Sequence, residues 1–229
     1  MLVCAAFLPR GTQASGLLRA VRRAAPLTAG EILSHMDDAA RQVKTISARL
    51  TYTTVTVVVN DRSTQYGELF FRKGRHPEFL MRFSKPSLKE LLFKRNRAEI
   101  YYPQLNQIQI YDLASHRELL QQFLLLGFGS RTSEIEEAYH VRYLGEKPLD
   151  GVMTPVLDLT PTSKDVAAKL SKVDLWISRE SWLPIRQEVF EPSGDYLIAT
   201  YSKVQINPPL ASSTFKIKAK PGVERLKMN

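Results

Sequence analysis

At 229 residues, with 44% hydrophobic and 24% charged side chains, the chain has the composition of a folded globular protein and shows no disordered or coiled-coil signature. Its single cysteine, Cys4, excludes an internal disulfide and a cysteine-based zinc site, and no run of about 18 consecutive apolar residues offers a membrane-spanning helix. The net charge of +9 is concentrated in residues 1–30, where Arg10, Arg19, Arg22 and Arg23 meet no acid, and in residues 85–97, where Lys85, Lys89, Lys94, Arg95 and Arg97 face only Glu90. The second group is a basic patch. It suits the protection of a strand edge, or attraction to an anionic membrane surface or acidic partner.

In chain order, Leu2 to Leu8 is a short apolar run followed by Thr12-Gln13-Ala14, which resembles the end of a secretory signal. Residues 1–27 therefore read as a leader without its basic start, cleaved near Ala14 or in the basic stretch after it, and residues 28–229 as a single domain. Val3 is too bulky to precede a lipoprotein anchor on Cys4. Removal of the leader leaves a mature chain without cysteine, which suits an oxidising compartment.

Thr28-Ala29-Gly30-Glu31 is a capping box, and Ile32, Leu33, Met36, Ala39, Ala40 and Val43 form one stripe, so a helix is predicted to about Lys44. Two long strands follow, 46–59 and 64–72, about the turn Asn60-Asp61-Arg62-Ser63. Shorter strands are predicted at 78–84, 88–94, 98–102 and 107–113. A second capping box at Ser115-His116-Arg117-Glu118 opens a helix through Leu126 that Gly127 stops, and a helical turn starts at Ser133. Strands resume at 140–146, 152–159, 171–178, 183–191 and 195–206. Of the last pair, Ile185, Gln187 and Val189 share a face opposite Arg186, Glu188 and Phe190, while Leu197, Ala199 and Tyr201 oppose Tyr196 and Ile198. Both faces carry apolar groups, so both need a cover.

The expected fold is mainly β: about eleven strands in a single large antiparallel sheet that must curl, with two or three short α-helices as lid or plug. Chemistry is sparse. His35, His76, His116 and His140 have no partner at metal-ligand spacing, Gly127-Phe128-Gly129-Ser130 follows a helix and lacks the lysine of a phosphate loop, and no nucleophile elbow occurs. Phe83, Phe93, Tyr101 and Tyr102 interleave with the basic patch, as they would in a single-strand binder or in any sheet core. The expectation is a binding protein, with no metal, no cofactor, no nucleic-acid partner and no enzyme activity.

Several stretches, in order, resemble the LolA family of lipoprotein carriers over about residues 30–225. These are the opening helix into the Ile46 strand; Arg75-His76-Pro77-Glu78-Phe79-Leu80-Met81-Arg82-Phe83; Ile100-Tyr101-Tyr102-Pro103; the Trp-to-Leu-Pro rhythm from Trp176; Glu191-Pro192-Ser193-Gly194; and the close from Phe215 to Pro221-Gly222-Val223. His76 intervenes in the basic-Pro segment, Tyr101-Tyr102 replaces a mixed Trp/Tyr pair, and Leu124 to Gly129 is more apolar than in the carriers. The resemblance implies an incomplete β-barrel with a hydrophobic cavity under helical lids, monomeric and periplasmic. Its cargo would be acyl chains of lipoproteins or lipids moving toward the outer membrane, with an inner-membrane transporter, an outer-membrane receptor and transient membrane contact. A lipid- or lipoprotein-sensing module on the same fold is the alternative. Leu50, Tyr52, Phe70, Phe79, Met81, Tyr101, Trp176 and Phe190 are the cavity candidates, and Leu120, Phe123 and Leu124 the lid. Arg75 or Arg82 is carried over as the latch that holds the lid through backbone carbonyls.

Overall fold

The computed structural model describes residues 27–113, 126, 128 and 131–228. Helix α1 (Ala29–Gln42) starts at the expected capping box: the Thr28 hydroxyl accepts from the Glu31 amide at 3.2 Å, and the Glu31 carboxylate accepts from the Thr28 amide at 2.8 Å. Two shorter helices are described, α2 (Thr132–Ala138) and α3 (Lys164–Ala167), the second without a sequence signal. The helix expected over 115–126 falls on residues outside those described, apart from Leu126.

The strands are β1 (Thr45–Thr56), β2 (Asp61–Arg72), β3 (Glu78–Lys85), β4 (Lys89–Lys94), β5 (Arg97–Tyr102), β6 (Gln107–Asp112), β7 (Tyr139–Leu149), β8 (Val152–Pro161), β9 (Lys172–Ile177), β10 (Pro184–Phe190), β11 (Tyr196–Ile206) and β12 (Glu224–Met228). All belong to one open, curled sheet in the order β12-β6-β5-β4-β3-β2-β1-β11-β10-β9-β8-β7. Two meanders, β1 to β6 and β7 to β11, are thus joined by the β1–β11 pair, where Leu50 faces Tyr201 and Tyr52 faces Ala199. The expected eleven antiparallel strands become twelve, because β12 adds to the β6 edge in parallel. Its five residues, Glu224 to Met228, are mostly exposed and held by the backbone ladder, so they have no burial pattern for a sequence to display.

Successive side chains alternate between faces, and the pairing registers carry that alternation across the sheet. On the inner face, Ile32, Leu33 and Met36 of α1 pack against Leu157, Leu159, Val173, Leu175, Ile177 and Val189. Burying each such side chain contributes roughly 1.5–3 kcal/mol. The outer face is closed differently. There the chain between β11 and β12 lays Leu210, Phe215 and Ile217 over Phe70, Leu80 and Leu92. Arg72 sits 4.6 Å from the centroid of the Phe215 ring and pairs with Glu78, which also holds Lys94 at 2.6 Å. Hydrogen bonds from the two cations, together with their charges, hold the Glu78 carboxyl below its ordinary value against the opposing effect of burial.

Gly67 lies where β2 and β3 shift register, between Leu50 and Phe83 on the inner face. A Cβ there would meet the Arg82 carbonyl oxygen at 2.2 Å, so the backbone itself would have to move. Gly67→Ala is expected to lower stability by about 1–3 kcal/mol, the range of overpacked sites. Urea unfolding checks this as a lower midpoint at unchanged slope; an unchanged midpoint would mean that the two strands can separate freely.

Candidate functional site

The inner face divides into two parts. Over β8, β9 and β10 its side chains are buried beneath α1. Over β3 to β6 the register aligns Met81 with Leu91 and Ile100, and Phe93 with Ala98 and Tyr111. Met81, Leu91, Phe93, Ile100, Tyr102 and Tyr111 are only half-buried. They form an apolar trough. Along its β6 edge a polar ladder runs from the Tyr111 hydroxyl to Gln109 at 3.1 Å and from the Gln109 amide to Gln107 at 3.3 Å.

Between the two parts, Phe128 is buried against the Tyr201 ring, edge-on at 5.0 Å. The Tyr201 hydroxyl donates to Gln187 Oε1 at 3.1 Å, and Gln187 Nε2 donates to the Leu126 carbonyl at 2.8 Å. A buried polar chain therefore fixes Leu126 and Phe128 to the sheet, and each member satisfies its neighbour. Burial pushes the Tyr201 hydroxyl pKa up from its ordinary value, with the Tyr52 charge a lesser cause; burial also raises Tyr139. At the trough's end, Tyr52 packs edge-on to Phe83 at 5.8 Å, and its pKa is raised by burial first and the Glu191 charge second.

Of the cavity candidates, Leu50, Tyr52, Phe79 and Met81 lie on the inner face; Leu50 and Phe79 are buried in core clusters, while Tyr52 and Met81 are half-buried. The other four are corrected. Phe70, Tyr101, Trp176 and Phe190 have the opposite parity and lie on the outer face. Phe70 sits beneath the Phe215 segment, and the Tyr101 hydroxyl accepts from the Lys220 amide at 3.2 Å. Trp176 lies under Lys147 and Arg186, and Phe190 stacks on Tyr196 at 5.4 Å. Leu120, Phe123 and Leu124 lie outside the described residues.

Arg82 is also corrected: on the outer face it donates to Glu90 at 2.7 Å and cannot reach across the inner one. Arg75 is exposed on the β2–β3 turn and has no partner among the described residues. A contact of the kind expected of the latch is made instead by Lys73, whose Nζ donates to the Ala40 carbonyl of α1 at 2.8 Å. Leu91, Phe93 and Ile100 were missed as site residues. Alternation from Met81 would have found them once the register between strands was known.

Among the described residues no group of three or more His, Cys, Asp or Glu side chains could hold a metal ion, and no helix is long and apolar enough to cross a membrane.

A protein family described as "-like: Uncharacterized protein" matches residues 78–208, more than half of the chain, and the chain belongs to that family. No curated protein matches it in sequence. Among solved structures, an uncharacterized conserved protein from Thermus thermophilus is similar at a TM-score of 0.56 and 12% identity, over 87% of this chain and 99% of that one. MucB is similar at 0.51 and 17% identity, over 83% of this chain and 63% of MucB, so this chain spans less than two thirds of MucB's length. A LolA superfamily protein from Nitrosomonas europaea aligns at 0.42 and 16% identity over 83% and 98%, a score from which nothing is argued. At these identities the likeness concerns the fold. The architecture they share is the fold alone: one open, curled, mainly antiparallel sheet with the described helices packed on its inner face.

Because the folded state keeps Tyr201 neutral, this tyrosine's contribution to stability is fully present below the ordinary tyrosine pKa of 10.0 and is lost as pH rises above it. The loss approaches about 1.4 kcal/mol per pH unit for each such tyrosine. Urea unfolding of Tyr201→Phe should show about 1 kcal/mol less stability at pH 7, since Gln187 loses a donor, and a shallower decline between pH 9.5 and 11. An undiminished alkaline decline would mean that Tyr201 ionises freely in the fold.

Proposed function

We propose that the chain binds the acyl chains of lipids or lipoproteins in the trough over β3 to β6, and that it does so in the periplasm, carrying them toward the outer membrane without enzymatic chemistry. The observation that supports this is the half-buried state of Met81, Leu91, Phe93 and Ile100 on a face whose other half is buried. Each acyl methylene gains about 0.8 kcal/mol on leaving water, so lipid-length chains need a carrier to cross an aqueous space. The trough supplies aliphatic and aromatic contacts with a polar rim, a lining suited to a chain that must later be released.

Handover would involve a membrane transporter and a receptor. With Arg82 held by Glu90 on the outer face, gating through the helices would fall to Arg75 or to the Lys73 contact with α1. A sensing module is the second reading, favoured by the likeness to MucB, which has been crystallised in complex with MucA. Transfer of cargo to acceptor vesicles by the isolated protein separates the two, since a sensor has no need to deliver.

Leu91→Trp replaces an isobutyl group in the trough with a bulky indole ring without adding charge. It is expected to weaken binding of a fluorescent acyl probe by about tenfold, an effect of about 1.4 kcal/mol, while the urea midpoint stays nearly constant. Unchanged affinity in folded Leu91→Trp would remove the trough as the site.

A further inference from the structure

Among the described residues, the inner positions of β3 to β6 carry one charged side chain, Lys89. It pairs with Phe83 in the β3–β4 register, and its Nζ lies 4.9 Å from the centroid of that ring. Phe83 in turn packs with Leu50 in a cluster that Tyr52, Met81 and Leu91 join. The inner side chains of β4 thus read, from one end, as a cation, Lys89, followed by Leu91 and Phe93.

On the outer side, Arg82 is neutralised by Glu90 at 2.7 Å and Lys94 by Glu78 at 2.6 Å, while Lys85, paired with the outer residue Tyr66 at the end of β3, is exposed to water. Among the described residues Lys89 forms no ion pair. It is half-buried, and burial alone lowers its pKa, with no carboxylate contributing to hold the charge. Withdrawing an ammonium from water toward an aromatic face, with no described acid paired to it, is costly unless an anion completes the site.

Resting on the acyl-binding reading above, we propose that Lys89 anchors the anionic end of the cargo, whose chain then runs along Leu91, Phe93 and Ile100. The cargo is accordingly an amphiphile with a carboxylate or phosphate head, rather than a neutral lipid or the uncharged diacylglyceryl group of a lipoprotein. A charge-assisted contact gives the head its orientation, and the apolar trough gives the chain its affinity.

The test compares palmitate, hexadecyl phosphate and 1-hexadecanol, each below its aggregation concentration, by displacement of a neutral fluorescent acyl probe from the wild type, Lys89→Met and Lys89→Arg. The wild type should bind at least one of the two anions about tenfold more tightly than the alcohol, the scale of one charge-assisted contact. Whichever anion is preferred identifies the head group. Lys89→Met should bind all three with the alcohol's affinity, unchanged from the wild type, which also reports that it is folded; Lys89→Arg should keep the preference. An undiminished preference in Lys89→Met overturns the anchor, as does a wild type that binds the alcohol as tightly as the anions. If none of the three displaces the probe from the wild type, the acyl-binding reading falls and the anchor falls with it.

Discussion

The rest of the structure depends on a mismatch of dimensions. The fourteen residues of α1 make a rod about 21 Å long, whereas twelve strands at their usual spacing make a sheet about 50 Å across. Among the described residues, α1 therefore covers only part of one face, with Ile135 of α2 and Val166 of α3 packed beside it. Where it lies, over β8 to β10, Leu157, Leu159, Leu175 and Ile177 form an ordinary core. Over β3 to β6 the same face keeps apolar side chains that are only half-buried.

That uneven cover is sustained from the other side of the sheet. The outer face of β2 to β4 is packed by Leu210, Phe215 and Ile217 against Phe70, Leu80 and Leu92, and tied by the Arg72–Glu78–Lys94 and Arg82–Glu90 pairs. Half-buried apolar side chains on the inner side can therefore persist without loosening the strands, because their stability is supplied by the outer packing and by the backbone ladders. The β1–β11 pair then joins this half to the helix-covered half as one continuous surface. The Tyr201–Gln187–Leu126 chain sits at the seam and fixes the residues at the edge of the covered region.

Much of this was legible in the sequence and some was not, for physical reasons. Strand positions were readable because turn residues such as Asn60, Pro192 and Gly194 punctuate runs of alternating side chains, and α1 because Thr28 and Glu31 cap it. Which face of each strand looks inward was not readable. Phe70 and Phe71 are adjacent aromatics on opposite faces, and only the pairing of Phe71 with Phe79 decides between them. The same holds for Tyr101, Trp176 and Phe190, whose bulk suggested a cavity but whose contacts lie on the outer side. Arg82 was misassigned in this way too, since its alternation partner Glu90 belongs to another strand. Nothing local marked β12, whose residues are largely solvent-facing.

The parity of the strands is also where the account is most directly open to test. A palmitate carrying a photoreactive diazirine at its methyl end, bound to the full chain and irradiated, reports by peptide mass mapping which side chains the acyl chain touches. Adducts on Met81, Leu91, Phe93 or Ile100 are the expected result. Adducts confined to outer-face neighbours such as Leu80 or Leu92, which differ from the first set by a single step of alternation, would contradict the assignment of the inner trough as the binding face.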